Sequence, residues 1–179
     1  MKKIIVSLPV ILLNQLLFSQ VIIGGTTGTA SNKTSVLLEF EGQNKGIILP
    51  YTRTLPSSPT EGTLILDAST SSAARVKLYN GTWVDLSGQD ADITSSLLIQ
   101  PTSSQTAEDS NAKSIIGNSS SQADGVLILE SQTKAMVLPT IENTDDIINP
   151  SPGMLVYIKK TGAKRLAVFN GNKWAYWMP

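Results

Sequence analysis

Histidine and cysteine are both missing from the 179 residues. Without histidine the chain lacks the commonest general base, the usual zinc ligand and the partner of every Ser-His or Cys-His nucleophile. Without cysteine there is no disulfide framework, no thiol nucleophile and no lipid-anchor cysteine near the N-terminus. Charge is balanced at 14 basic and 14 acidic side chains, so neither nucleic acid nor a charged membrane surface is an implied partner. Aromatics are scarce, with three Trp, four Tyr and three Phe. After residue 20 no window of 11 or more residues shows a 3.6-residue apolar period, which excludes long amphipathic helices.

The N-terminus carries the longest apolar run. Met1-Lys2-Lys3 forms a short basic region, "IIVSLPVILLNQLLF" an apolar one, and "FSQ" offers Ser19 as a small residue before a cut. Residues 1–20 are therefore expected to be a signal peptide. An uncleaved anchor is the rival, opposed by Pro9, Asn14, Gln15 and the short apolar length. Cleavage leaves about 160 residues, enough for one ordinary domain or two small modules.

The remainder contains itself twice. "VIIGGTT" from Val21 returns as "SIIGNSS" from Ser114, "VLLEF" from Val36 as "VLILE" from Val126, and "KGIILP" ending at Pro50 as "KAMVLP" ending at Pro139. "PTEGTLILD" from Pro59 returns as "PSPGMLVYI" from Pro150, and an Asn-Gly followed by Trp closes both units. The offsets run from 89 to 93 residues. The apolar runs are four to six residues long, rich in Ile, Leu and Val, and bounded by Gly, Pro, Asn and Ser, which is a β pattern.

The expected fold is all-β: two tandem small β-meander modules, at 21–87 and 114–179, joined by a Ser/Thr/Asp-rich spacer over 88–113 and open to intertwining in an oligomer. Within the spacer, "SLLIQ" reads as a short strand. The meanders are expected at 63–67, 75–79 and 82–86, and again at 154–158, 164–169 and 173–177.

"KLYNGTW" and "AVFNGNKW" pose a question of register. Asn80-Gly81 as a two-residue type I′ loop sets Leu78 opposite Trp83. Enlarging the second loop to Asn170-Gly171-Asn172, with Asn172 tolerating the left-handed region, sets Val168 opposite Trp174. On this reading the hairpins are structural, each pairing a Trp with an aliphatic neighbour. Tyr79, Tyr176 and Trp177 remain as ligand-binding candidates, because aromatic faces suit the apolar face of a sugar ring.

The order "KGIILPYTR…GTLILD…LYNGTW" resembles a repeat of secreted proteins in Bacteroidota-type bacteria and of phage tail-fibre-like proteins, usually seen as "KG-LLPR-T…P-G-L-VYN…YYNG--W". Lys45, Gly46, Ile47, Ile48, Leu49, Pro50, Thr52 and Arg53 carry the first part; Gly62, Leu64, Tyr79, Asn80, Gly81 and Trp83 carry the second. The second copy departs at Ala135, Thr140, Ile141 and Phe169. The resemblance implies an exported, non-enzymatic, fibre- or surface-associated protein, extracellular, at the cell surface or in the periplasm. It also implies self-association, with a trimer favoured.

The alternatives are a carbohydrate-binding module that takes a surface glycan and a small subunit of an outer-membrane protein assembly. No cofactor, metal or catalytic residue is expected. Asp90 with Asp92, and Asp145 with Asp146, lack the ligand count of a calcium loop. Glu39 and Glu130, at the ends of matching strands, are the only doubled carboxylates for glycoside hydrolysis, and repeat symmetry explains them more simply.

Overall fold

A computed structural model describes residues 20–42, 44–102, 104, 105, 107, 109 and 111–177. The expected signal peptide therefore lies, apart from Gln20, outside the described residues. The fold is all-β. The first repeat contributes β1 (Val21–Ile23), β2 (Val36–Phe40), β3 (Ile47–Ile48), β4 (Tyr51–Thr52), β5 (Leu64–Asp67), β6 (Arg75–Tyr79) and β7 (Trp83–Asp85). The second contributes β8 (Ser114–Ile116), β9 (Leu127–Leu129), β10 (Ala135–Val137), β11 (Thr140–Ile141), β12 (Met154–Ile158), β13 (Arg165–Phe169) and β14 (Trp174–Trp177). Each repeat thus has the same seven strands in the same order.

Between the repeats, α1 (Thr94–Leu97) replaces the strand expected at "SLLIQ". The Asp92 carboxylate accepts the Thr94 N–H at 2.9 Å, and the Leu97 N–H returns to the Ile93 carbonyl at 3.0 Å. These local bonds close a helical turn and leave Leu98 and Ile99 in solvent with no strand alongside.

Each repeat ends in an antiparallel meander whose first strand also takes a short parallel strand: β4-β5-β6-β7 and β11-β12-β13-β14. Strands begin or end within a residue or so of the expected positions, because short alternating apolar runs between Gly- and Asn-rich turns fix them locally. What local pattern does not specify is the pairing between repeats. β10 adds in parallel to β2, making the sheet β1-β2-β10, and β3 adds antiparallel to β12.

The core records this joining. Leu66, Val76 and Leu86 of the first repeat pack in one cluster with Leu155 and Val168 of the second, and Ala91 and Ile93 from the start of the spacer complete it. The opposite faces of β12 and β13 bury Met154, Val156, Ile158 and Ala167 with Ile141 and Ile147. Alternate residues of β12 thus enter different clusters, as a pleated strand covered on both faces requires.

Candidate functional site: the hairpins, a buried carboxylate and the uncovered strands

The Asn-Gly hairpins differ from the expected turns. β6 ends at Tyr79 and β7 starts at Trp83, so the loop is Asn80-Gly81-Thr82 and Tyr79, not Leu78, faces Trp83; Leu78 faces Val84. In the second copy the loop runs over residues 170–173, Phe169 faces Trp174, and Val168 faces Ala175. Only the glycines take positive φ, 71° at Gly81 and 116° at Gly171, so neither Asn nor Asn172 sits in the left-handed region. A type I′ turn is excluded because Asn80 instead donates its N–H to the Thr82 carbonyl at 2.9 Å. The extra residue is still absorbed in the loop, but the cross-strand pair it preserves is aromatic. Tyr79–Trp83 and Phe169–Trp174 both have ring centroids 5.2 Å apart, with planes at 61° and 47°.

Edge-on aromatic pairs contribute roughly 0.5–1.5 kcal/mol beyond burial. A double-mutant cycle on Tyr79→Leu and Trp83→Leu, read by urea unfolding, is expected to give a coupling energy in that range. Additive single effects would contradict the pairing.

Asn170 has a second role that Asn80 lacks. It is fully buried, its amide donates to the Gln89 carbonyl at 2.8 Å, and its carbonyl oxygen accepts the N–H groups of Asn172 and Lys173, both at 3.0 Å. Asn80 is exposed. Gly171 is required here by contact as well as by φ, since a Cβ would lie 2.7 Å from Ile93 Cγ2.

Each ligand candidate makes a contact within the fold, and Tyr176 and Trp177 each keep a relative exposure of 44%. Tyr79 lies against Trp83. The Tyr176 hydroxyl is 3.1 Å from Thr144 Oγ1, and Arg165 lies over its ring at 4.3 Å. The Trp177 indole N–H donates to the Leu86 carbonyl at 2.7 Å, tying the last strand to the first repeat. Arg75 and Arg165 open the equivalent strands β6 and β13. Arg75 pairs with Asp85 and Asp90; at the position matching Asp85 the second repeat has Tyr176, so a cation–π contact replaces the ion pair.

The remaining carboxylates noted in the sequence serve turns. Asp92 starts α1, and Asn143 and Asp146 close a capping box around the 3-10 turn Thr144–Asp146. Among the described residues no three His, Cys, Asp or Glu side chains group as a metal site.

Glu39 and Glu130 are not equivalents. The pairings Val21 with Leu38 and Ser114 with Leu127 align Leu38 with Leu127, so Glu39 matches Ile128 and Glu41 matches Glu130. The Glu41 and Glu130 amides confirm the frame by donating to the carbonyls of Ile23 and Ile116 at 2.8 and 2.9 Å. The alignment of "VLLEF" on "VLILE" was therefore one residue out of register. The cause is a longer loop after β1, which lowers the offset from 93 to 89 across it.

That loop is organised by Glu39. Its carboxylate has no exposed surface and accepts from Gln20 Nε2, Thr29 N–H and hydroxyl, Ala30 N–H and Lys33 Nζ. Burial alone raises the Glu39 pKa. The hydrogen bonds from Ala30, Lys33 and Thr29 outweigh it and bring the pKa down to about 2. Gly28, at φ 69°, passes so close that a Cβ would lie 2.3 Å from Glu39 Oε2. Nothing in the apolar run "VLLEF" announced this role; the unpaired Glu inside it was the available signal.

A surface feature is set by the same equivalence. Leu37 and Leu38 on β2 are 3% and 0% exposed, whereas their counterparts Val126 and Leu127 are 65% and 45% exposed. Among the described residues β2 has β1 on one edge and β10 on the other, but β9 has β8 alone. Ile48 on β3 is also exposed. Apolar side chains on an unpaired strand edge form an association surface.

Residues 115–178, from β8 through the last strand, match the family model described as "Phage tail like trimerisation region". The tail-fibre-like side of the resemblance thus has support in the second repeat. No curated protein and no solved structure matches the chain.

Proposed function

We propose that the protein is a non-enzymatic structural component of the fibre or adhesin type, exported and self-associating as a homotrimer. The observation that carries this is the coincidence of two features in one segment. The second repeat matches a trimerisation region, and the same repeat exposes at the start of β9 an apolar pair, Val126 and Leu127, whose counterpart in the first repeat is buried. A chain without disulfides gains stability by covering such surface. Export follows from the signal-peptide pattern of residues 1–20. On this reading the aromatics of the hairpins and the last strand hold the module together, and the surface it presents is a subunit contact.

Sedimentation equilibrium of the protein purified without its leader tests the reading. The expected result is a mass of three chains held across micromolar concentrations. A single-chain mass over the same range would overturn it.

A further inference from the structure

Resting on the trimer reading above, we propose that copies join head to tail by strand addition and close into a ring of three. β3 of one copy adds in parallel to the open edge of β9 on its neighbour. That neighbour's β10 adds antiparallel to β5 of the first copy.

The chain already contains one example of this contact. Its first repeat meets its second through two pairings, β2 with β10 and β3 with β12. In repeat terms, the second strand of one unit takes the third strand of the next, and its own third strand joins the fifth strand of the next. After that contact forms inside the chain, four edges are left over among the described residues. β9 lacks a third-strand neighbour, and β3 lacks a second-strand neighbour. β10 lacks a fifth-strand neighbour, and β5 is open beside Leu64, where β12 receives β3 beside Leu155. The edges left on the second repeat complement those left on the first.

One strand can serve both neighbours. Ala135 donates its N–H to the Ser35 carbonyl just before β2, and Leu49 donates its N–H to the Gly153 carbonyl next to β12. Ala135 matches Gly46, three positions from Leu49 in the common frame. Backbone groups an odd number of residues apart point to opposite edges of a strand, so the two pairings do not compete.

Side chains fit the same exchange. Leu37 and Leu38 are buried where β2 has a strand on each edge, and their counterparts Val126 and Leu127 are exposed where the edge of β9 is open. Gly46 packs against β12 so closely that a Cβ would lie 2.4 Å from Met154 Cγ and 2.8 Å from Val156 Cγ1. The matching residue Ala135 has that Cβ, and the position matching Met154 is Thr63, just before β5, whose side chain is shorter. Thr63 thus makes room for that Cβ at one of the two close contacts, while Ile65 stands at the position matching Val156. A contact between different surfaces of identical chains either closes a ring or grows a filament. Closure at three chains is taken from the trimer reading above, which rests on the match of the second repeat to a trimerisation region.

The register transfers as well. Met154 faces Ile48 inside the chain, so Val137 of one copy faces Thr63 of the next. Ile48 is flanked by residues bonded to β12, which makes this a non-hydrogen-bonded pair with Cα atoms about 4.5 Å apart. That separation is within disulfide range. Because the chain has no cysteine, the pair can be tested without background.

Oxidised protein carrying both Thr63→Cys and Val137→Cys is expected to run on a non-reducing gel as a ladder ending at a covalent trimer. The two single variants, refolded together, are expected to give a disulfide-linked dimer that neither gives alone. Absence of these bonds in protein that still sediments as a trimer overturns the strand-edge contact and leaves the trimer reading intact. A ladder continuing past three overturns closure, and a wild-type monomer overturns both. As an arm without cysteine, Leu127→Glu is expected to weaken assembly by about a hundredfold or more. Leu98→Glu, on an 82% exposed residue outside every strand, is expected to leave it unchanged. Equal effects of the two would also overturn the proposal.

Discussion

Glu39→Gln is expected to lower the unfolding free energy by roughly 2–4 kcal/mol, measured by urea at a fixed protein concentration. The carboxylate accepts from five donor groups, the main-chain N–H groups of Thr29 and Ala30 among them. An amide at this site offers one acceptor oxygen and turns an NH2 group toward other donors. The substitution therefore leaves buried polar groups unpaired instead of merely removing a charge.

Acid provides an independent check. In the unfolded chain the Glu39 carboxyl titrates near 4.5 and in the folded protein near 2. A depressed folded pKa contributes stability that is complete above the unfolded value and is lost as pH falls through the folded one. The wild-type protein should thus weaken between about pH 4.5 and pH 2, and Glu39→Gln should flatten that part of the profile. Parallel profiles for the two proteins would show that Glu39 carries no such load.

Asn170→Ala is expected to cost roughly 2–3 kcal/mol, and Asn80→Ala no more than about 0.5 kcal/mol. Both residues precede glycine in equivalent hairpins, so propensity predicts equal effects. The difference comes from tertiary position. Asn170 is buried, bonds the Gln89 carbonyl across the repeats and holds two N–H groups of its own loop. Its removal takes away the partner of three main-chain groups, the Gln89 carbonyl and the Asn172 and Lys173 amides, whereas Asn80 is exposed and holds its loop through its main chain. Similar shifts in urea midpoint for the two variants would contradict this division of labour.

The same pair of residues marks how far the sequence could be read. The meander strands were legible because alternating Leu, Ile and Val runs between glycine-rich turns are a local signal. The turn conformation was not. The preference of Asn-Gly for a type I′ loop competes with the Asn170 side chain, whose partner Gln89 is distant in sequence and adjacent only after folding.

Glu39 and Ile128 show a second limit. They occupy one structural position, but a loop of different length precedes each, and matching apolar letters alone placed the repeats one residue out of frame. The uncovered β9 is a third case. "VLL" and "VLI" read alike as buried strands, but the first lies on a strand paired on both edges and is buried, and the second lies at a strand paired on one edge and is partly open. Long-range strand pairing leaves little imprint on composition, since any apolar edge accepts another.

Those uncovered residues are where the assembly is most directly tested. Amide hydrogen exchange of Leu127, Ile128 and Leu129 in the intact protein, compared with Val36–Phe40 of β2, reports whether the β9 edge is paired. Strand addition from a neighbouring copy predicts protection of the same order on both strands, lost from β9 first on dilution. Rapid exchange along β9 beside protected β2, at concentrations where three chains sediment together, would contradict it.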